Sequence, residues 1–216
     1  MLTLRAIFPG DPLFPLVRSF VSRVYSTRLE VINPANPDAF AALFFHGTPI
    51  ACAGIFSAAT HKPLFFERFF DYPILEEIDP TGPRATFAEL GALAIEAPEA
   101  LSKHVQQIAA LILIAASLIA YEEQITHLVF IGDRLLPRFS KLFGVPFHNF
   151  GRVEPHNIEP EFRAKLERYF RVGRNAYTVP TTPVKRIKNE IMDGLMATLG
   201  VIEHESMLPR VATLVS

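Results

Sequence analysis

Apolar residues along the chain recur with two periods, and the alternation between them predicts the elements. Residues 2–8 read as a short strand closed by Pro9-Gly10. Between 15 and 29, Leu16, Phe20, Val21 and Val24 fall at helical spacing. Asn33-Pro34-Ala35-Asn36-Pro37 is a turn-rich break. Residues 41–45 and 49–56 predict two strands joined by His46-Gly47, a hairpin signal. A Phe-rich segment, 65–73, and the short stretch 74–78 follow. Residues 85–95 are small and apolar apart from Glu89 and predict a central strand. Residues 97–121 predict one long helix, apolar on most of its surface in its second half, packed between a sheet and further protein. The apolar run 126–131 predicts a buried strand. A helix over 133–143 ends at Gly144, which suits a C-cap, and a strand is expected at 145–150. A charged helix over 161–171, a Pro/Thr-rich connection over 175–183 and a last helix over 184–199 complete the chain.

Strands alternate with helices in the second half and form a hairpin in the first. The expected class is therefore α/β with a mixed central sheet. The 216 residues suggest one domain, taken as 1–183, with a C-terminal helix and tail over 184–216. Half of the residues are hydrophobic, so a core can form, and the 19 Phe without a single Trp concentrate aromatic mass in a side chain that has no polar handle. A formal net charge of −1 argues against nucleic-acid binding by bulk charge. The charge is uneven. Residues 1–100 hold 7 Lys/Arg against 11 Asp/Glu, a net of −4, whereas 133–188 hold 12 against 5, a net of +7. The basic part could cradle an anionic ligand. The most apolar stretch, 108–120, is about 13 residues, short of the ~20 that cross a bilayer, so a buried helix is expected. The N-terminus lacks a basic cluster followed by an apolar run, and no signal peptide is expected. With one cysteine, Cys52, neither an intramolecular disulfide nor a cysteine-based zinc site can form. Together these features lead to the expectation of a cytoplasmic protein.

The familiar nucleotide, hydrolase and metalloprotease motifs are missing. The seven His include no pair three to five apart, so no metal site is expected. Cys52, in an apolar strand, suits core packing. Glu89 is the informative residue, because burying a lone carboxylate is costly unless it is hydrogen-bonded or paired, with Arg84 or Arg68 as candidates. Burial also raises a carboxyl pKa towards neutrality, where it serves as an acid or base. Gly91, two residues on, allows a bulge or close backbone approach, exposing amides that would hold a thioester carbonyl. In Phe65-Phe66-Glu67-Arg68-Phe69-Phe70-Asp71-Tyr72-Pro73 the aromatics alternate with charge. Two readings stand: an acyl or apolar pocket wall in which Glu67 and Asp71 orient an amine, or a short amphipathic helix covering the sheet.

This segment, continued through Ile74-Leu75-Glu76-Glu77, resembles the thermostable hemolysin family. Ala51-Cys52-Ala53-Gly54-Ile55-Phe56-Ser57-Ala58, Glu89-Leu90-Gly91-Ala92-Leu93-Ala94 and Arg138-Phe139-Ser140-Lys141-Leu142-Phe143-Gly144-Val145 agree with it in order and spacing. The resemblance covers roughly 15–187. It implies a fold similar to the GNAT-like N-acyltransferases and autoinducer synthases: a mixed sheet with helices on both faces, splayed near its centre around an acyl thioester. It further implies an acyltransferase that moves an apolar acyl group from acyl-CoA or an acyl carrier protein's phosphopantetheine to a small amine, with no covalently held cofactor. Glu89 would be the catalytic carboxylate. Glu67, Arg68, Asp71, Phe66, Phe70 and Gly91 would contact substrate, and Leu93, Ile95, Lys103, Arg134 and Arg138 the donor. The turn that is Gly-rich in such enzymes is Glu96-Ala97-Pro98-Glu99-Ala100-Leu101-Ser102-Lys103 here, acidic and without Gly. That departure favours a carrier-protein donor docked through the basic half. Ser57 and Ala92 stand where the family carries Arg and Asn. A membrane-active, hemolysin-like protein and a degenerate binding module on the same fold are the rival expectations.

Overall fold

In a computed structural model, the structure describes residues 1–29, 36–132, 146–153, 158, 160, 163 and 174–204. β1 (Leu2–Ile7) leads to α1 (Phe14–Leu29), then β2 (Ala39–Phe45) and β3 (Thr48–Ser57). His46 and Gly47, with φ of 50° and 79°, form the two-residue hairpin loop between them, the paired positive values that match the twist of the flanking strands. The Phe-rich segment is a 3-10 helix, Phe66–Phe69, followed by α2 (Ile74–Ile78). β4 (Phe87–Ile95) begins two residues later than predicted, because Pro83 launches a 3-10 turn, Arg84–Thr86. The long helix is divided as well. Pro98 precedes a 3-10 helix, Glu99–His104, and α3 proper is Val105–Glu122. β5 (His127–Gly132), β6 (His148–Arg152), β7 (Asn175–Pro180), α4 (Thr182–Leu199) and β8 (Val201–His204) complete the described elements. The helix expected over 133–143 lies outside the described residues, as does that over 161–171 but for Arg163.

The stretch 175–180, expected as a Pro/Thr-rich connection, is instead strand β7. Its proline is the last residue of the strand, past the end of β6, whose pairing with β7 begins at Thr178, so no partner strand faces its missing N–H. β8, four residues long, was not anticipated either.

The eight strands form one mixed sheet in the order β6-β7-β5-β4-β3-β2-β1-β8. β4–β5 and β1–β8 are parallel and the other pairs antiparallel. Helices cover both faces, as expected. Ala39, Ala41 and Leu43 face the core built with Ile108, Leu111, Ile112, Ala115 and Ile119 of α3. Phe40, Ala42 and Phe44 face the core built with Val17, Phe20, Val21 and Val24 of α1. This strict alternation is why β2 is apolar throughout: both faces are buried. α4 packs against α3, and Met192, Met196 and Leu199 join the α3-side core, so the segment after 183 shares that core. Among the described residues one helix, Glu99–Glu122, is long and apolar enough to cross a membrane. Here most of its surface is buried inside the fold, as the length of its apolar run led us to expect.

Two irregularities shape the middle of the sheet. β4 and β5 pair only over Phe87–His127, Ala88–Leu128 and Glu89–Val129. Both strands run on, β4 to Ile95 and β5 to Gly132, but not as partners, so the sheet opens beyond Glu89. On its other edge β4 carries a bulge. Cys52 pairs with Ala94 and Gly54 with Gly91, which leaves one extra residue on β4. Its strained member is Ala92, at φ 49°, rather than the glycine before it.

Candidate functional site

Glu89 sits at the last paired step of β4 with β5, 7% exposed. Its Oε2 accepts the Phe66 amide N–H at 3.0 Å. Burial pushes its carboxyl up from the ordinary 4.5 to about 7, against the pull of the Phe66 and Phe65 amides and Arg68, and with a smaller upward push from Glu67. A carboxyl poised near neutrality accepts and releases protons at the pH of the cell.

The Phe-rich segment thus meets Glu89 through its backbone. That contact depends on a staple farther out. Arg84 donates Nη1–H to Glu67 Oε1 at 2.6 Å and Nη2–H to Oε2 of the same carboxylate, while Leu64 N–H donates to Oε2 at 2.8 Å. Arg84 also donates to the carbonyls of Ala58 and His61, at 3.0 and 3.3 Å. Both oxygens of Glu67 are therefore engaged in holding the turn. Arg84, weighed as a partner for Glu89, pairs with Glu67 instead, and its charge is held even more firmly for that. Asp71 is exposed, beyond the end of the 3-10 helix.

Phe66 is fully buried and Phe69 nearly so, both in the α1-side core. Phe66 lies against Phe70 with ring centroids 5.2 Å apart, and Phe70 in turn contacts Phe150 of β6 at 6.2 Å. These spacings suit tilted and edge-on ring pairs. The segment is an amphipathic 3-10 helix covering the sheet: Phe66 and Phe69 face the core and Glu67 serves the staple.

Gly91 has a physical reason. A Cβ there would lie 3.1 Å from Cε2 of Phe56, whose ring crosses the strand. Phe56 pairs directly with Glu89 across β3–β4 and escaped the sequence reading, since nothing in the sequence marks which strand Phe will lie over a glycine. The ring also packs edge-on against His61, 5.2 Å away. His61 Nε2 lies 3.3 Å from Asp38, which also accepts from Ser57 N–H and Thr60 Oγ1.

On the opened side of β4, Leu93 is 39% exposed and Ile95 half-buried. Lys103 is exposed on the 3-10 helix before α3; Arg134 and Arg138 lie outside the described residues. Glu96, in the acidic turn, is paired with Arg23 of α1 and so ties that helix to the end of β4. Cys52 is fully buried and its thiol is pushed well above its usual range by that burial. Among the described residues no group of three or more His, Cys, Asp or Glu is placed to hold a metal.

The fold is shared with solved structures. The CoA-dependent acyl-homoserine lactone synthase BjaI, solved with SAM and isopentyl-CoA, superposes with a TM-score of 0.60 at 12% identity, over 95% of this chain and 94% of that one. The AHL synthase LasI gives 0.58 at 15% identity, over 84% and 90%. FeeM, an N-acyl amino acid synthase from uncultured soil microbes, gives 0.52 at 16% identity, over 90% and 99%. The expected GNAT-like topology is therefore present. No curated protein matches in sequence. The thermostable hemolysin profile matches residues 8–174, well over half of the chain, and the chain belongs to the thermostable hemolysin family.

Proposed function

We propose that this protein is an acyltransferase that moves an apolar acyl group from a thioester to an amine. The observation that carries the proposal is Glu89: a buried carboxyl near neutrality, held by backbone amides at the step where the central sheet opens. In this scheme the thioester lies in the opening between β4 and β5. The amine nitrogen attacks its carbonyl carbon, and Glu89 accepts the proton that nitrogen loses. The C–N bond forms, the carbonyl oxygen takes negative charge, and collapse breaks the C–S bond. The thiolate leaves and is reprotonated, so atoms and charge balance without a redox partner. Backbone amides of β4 around Gly91 would hold the oxyanion, a role that fixed amides fill well in a dry site. Phe66 and Phe70 would line the apolar substrate, and the Arg84–Glu67 staple would keep the Phe66 amide on Glu89.

On the donor side, Leu93 and Ile95 would border the thioester arm, and Lys103, Arg134 and Arg138 would meet its phosphates. The acidic turn at Glu96 and Glu99, without glycine, supports an acyl carrier protein over free CoA, with the basic stretch 133–188 as its docking charge. BjaI, a structural neighbour, is described as CoA-dependent, so both donors belong in the assay. Such thioesters are made inside cells, and the proposal carries a cytoplasmic location with it.

The test is release of free thiol from decanoyl-CoA and from decanoyl-acyl carrier protein in the presence of an amine panel, with wild-type and Glu89→Gln proteins. Loss of a general base lowers turnover by about 10²–10⁴-fold. Undiminished transfer by Glu89→Gln would remove Glu89 from the chemistry. Leakage of vesicles by pure protein that turns over no thioester would favour the membrane-active alternative.

A further inference from the structure

The carboxylate of Asp38, at the start of β2, has no part in the acyl-transfer scheme. Its Oδ2 accepts Ser57 N–H at 2.7 Å and lies 3.3 Å from Nε2 of His61, and its two oxygens accept the Thr60 hydroxyl at 2.9 and 2.8 Å. The turn that carries His61 is also closed by the main chain. Thr60 and His61 N–H donate to the Ser57 carbonyl, and Ala58 N–H donates to that of Phe87. The His61 carbonyl accepts Arg84 Nη2–H. Any non-proline residue supplies that N–H and that carbonyl, so the turn does not account for an imidazole.

What the imidazole meets is Phe56, edge-on, with ring centroids 5.2 Å apart. Phe56 is the cross-strand partner of Glu89, and directly opposed side chains share one side of a sheet. Cε2 of the Phe56 ring lies 3.1 Å from where a Cβ on Gly91 would stand and 3.3 Å from one on Gly54. The ring therefore reaches from Glu89 over two residues that have no side chain to fix it. His61 supplies the fix from the solvent side: its side chain and that of Asp38 are 32% and 37% exposed, whereas Phe56 and Glu89 are buried.

We propose that His61 is a positioning residue for Glu89: its imidazole, anchored by Asp38, holds the Phe56 ring across the carboxyl and keeps water from it. The proposal rests on the acyl-transfer reading only in making Glu89 the proton acceptor. Burial is the largest cause that lifts the Glu89 carboxyl, and the charges acting on it are Glu67 and Arg68 of the 3-10 helix. Both stay in place when His61 is changed. Loss of the imidazole edge frees the ring, admits water and returns the carboxyl towards its unfolded value.

The experiment reads Glu89 through stability in three backgrounds, wild type, His61→Gln and His61→Phe, each with and without Glu89→Gln. Glutamine at 61 keeps an N–H for Asp38 and has no ring, whereas phenylalanine keeps the ring edge and has no N–H. Within each pair everything but Glu89 is common. The growth of the Tm advantage of Glu89→Gln as the pH rises from 4.5 through 7 therefore measures how far the fold lifts that one carboxyl. The expected result is that His61→Gln cuts this growth about twofold or more, while His61→Phe leaves it at the wild-type value. Four results overturn the proposal: no growth in wild type, undiminished growth in His61→Gln, an equal loss in His61→Gln and His61→Phe, or a His61→Gln protein that does not fold. The last would mean that the imidazole carries the turn itself. The readout needs no donor. The expected pattern in a protein that transfers no acyl group would reject the acyl-transfer reading and leave the hold of His61 on Glu89 standing.

Discussion

Replacing Glu89 by glutamine tests the electrostatics of the site through stability alone, before any substrate is known. In the unfolded chain this carboxyl titrates near 4.5, and in the fold near 7. The folded state therefore holds the proton more tightly. Its contribution to stability is complete below pH 4.5 and is lost as the pH rises through 7. At about 1.4 kcal/mol per pH unit, the interval corresponds to about 3 kcal/mol. Glutamine keeps a carbonyl oxygen for the Phe66 amide and has no charge to desolvate. Relative to wild type, Glu89→Gln should therefore gain about 3 kcal/mol between pH 4.5 and pH 8.5, or roughly 6–12 °C in Tm for a chain of this size. His127 pulls the other way: burial lowers its pKa, so its contribution grows as the pH rises towards its unfolded value of 6.5 and is complete above it. It is present in both proteins and cancels in the difference. The assay is thermal denaturation of both proteins by circular dichroism across that pH range. A difference in Tm that stays constant with pH would refute the raised pKa, and with it the argument that Glu89 is poised for proton transfer.

Two further substitutions probe the surroundings of Glu89. Gly91→Val places a side chain against the Phe56 ring and should destabilise by about 1–3 kcal/mol in urea denaturation, as overpacking does. Arg84→Met leaves Glu67 with the Leu64 amide but no guanidinium. It should cost about 1–3 kcal/mol and move the pH midpoint of Glu89-dependent activity upward, because the Phe66 amide is no longer held on the carboxylate and Glu67 loses its counter-charge. A pH profile unchanged in Arg84→Met would sever the staple from the site.

Much of this arrangement was legible in the chain. The two-residue hairpin followed from His46-Gly47 between alternating apolar runs, and α3 from an apolar stretch too short to span a bilayer. Glu89 was identifiable because it is the one charge in an apolar strand. Its partner was not, since it is a backbone amide, and every non-proline residue carries one of those. The sequence pointed to Arg84 or Arg68, and the fold uses the Phe66 and Phe65 amides, with Arg68 adding its charge. β7 was concealed by composition: Thr178, Val179 and Pro180 weigh as a loop when proline is counted without regard to its place in the strand. The bulge was foreseen at Gly91, whereas the positive φ fell on Ala92 because glycine was needed one position earlier for clearance under Phe56.

The extra residue in β4 does more than bend the strand. Before it, Phe87, Glu89 and Gly91 share one face, and after it Ala92 and Ala94 lie on that same face, an odd-to-even change of phase. Removing the single extra residue would restore plain alternation and leave Ala94 on the α1 side and Ile95 on the α3 side. Removing one residue while the bulge stayed would instead make the bulky and the small side chains exchange layers. Length variation in β4 is thus tied to the bulge: a relative that lacks one residue here keeps this order of large and small side chains only by losing the bulge, while a relative that lacks two need change neither.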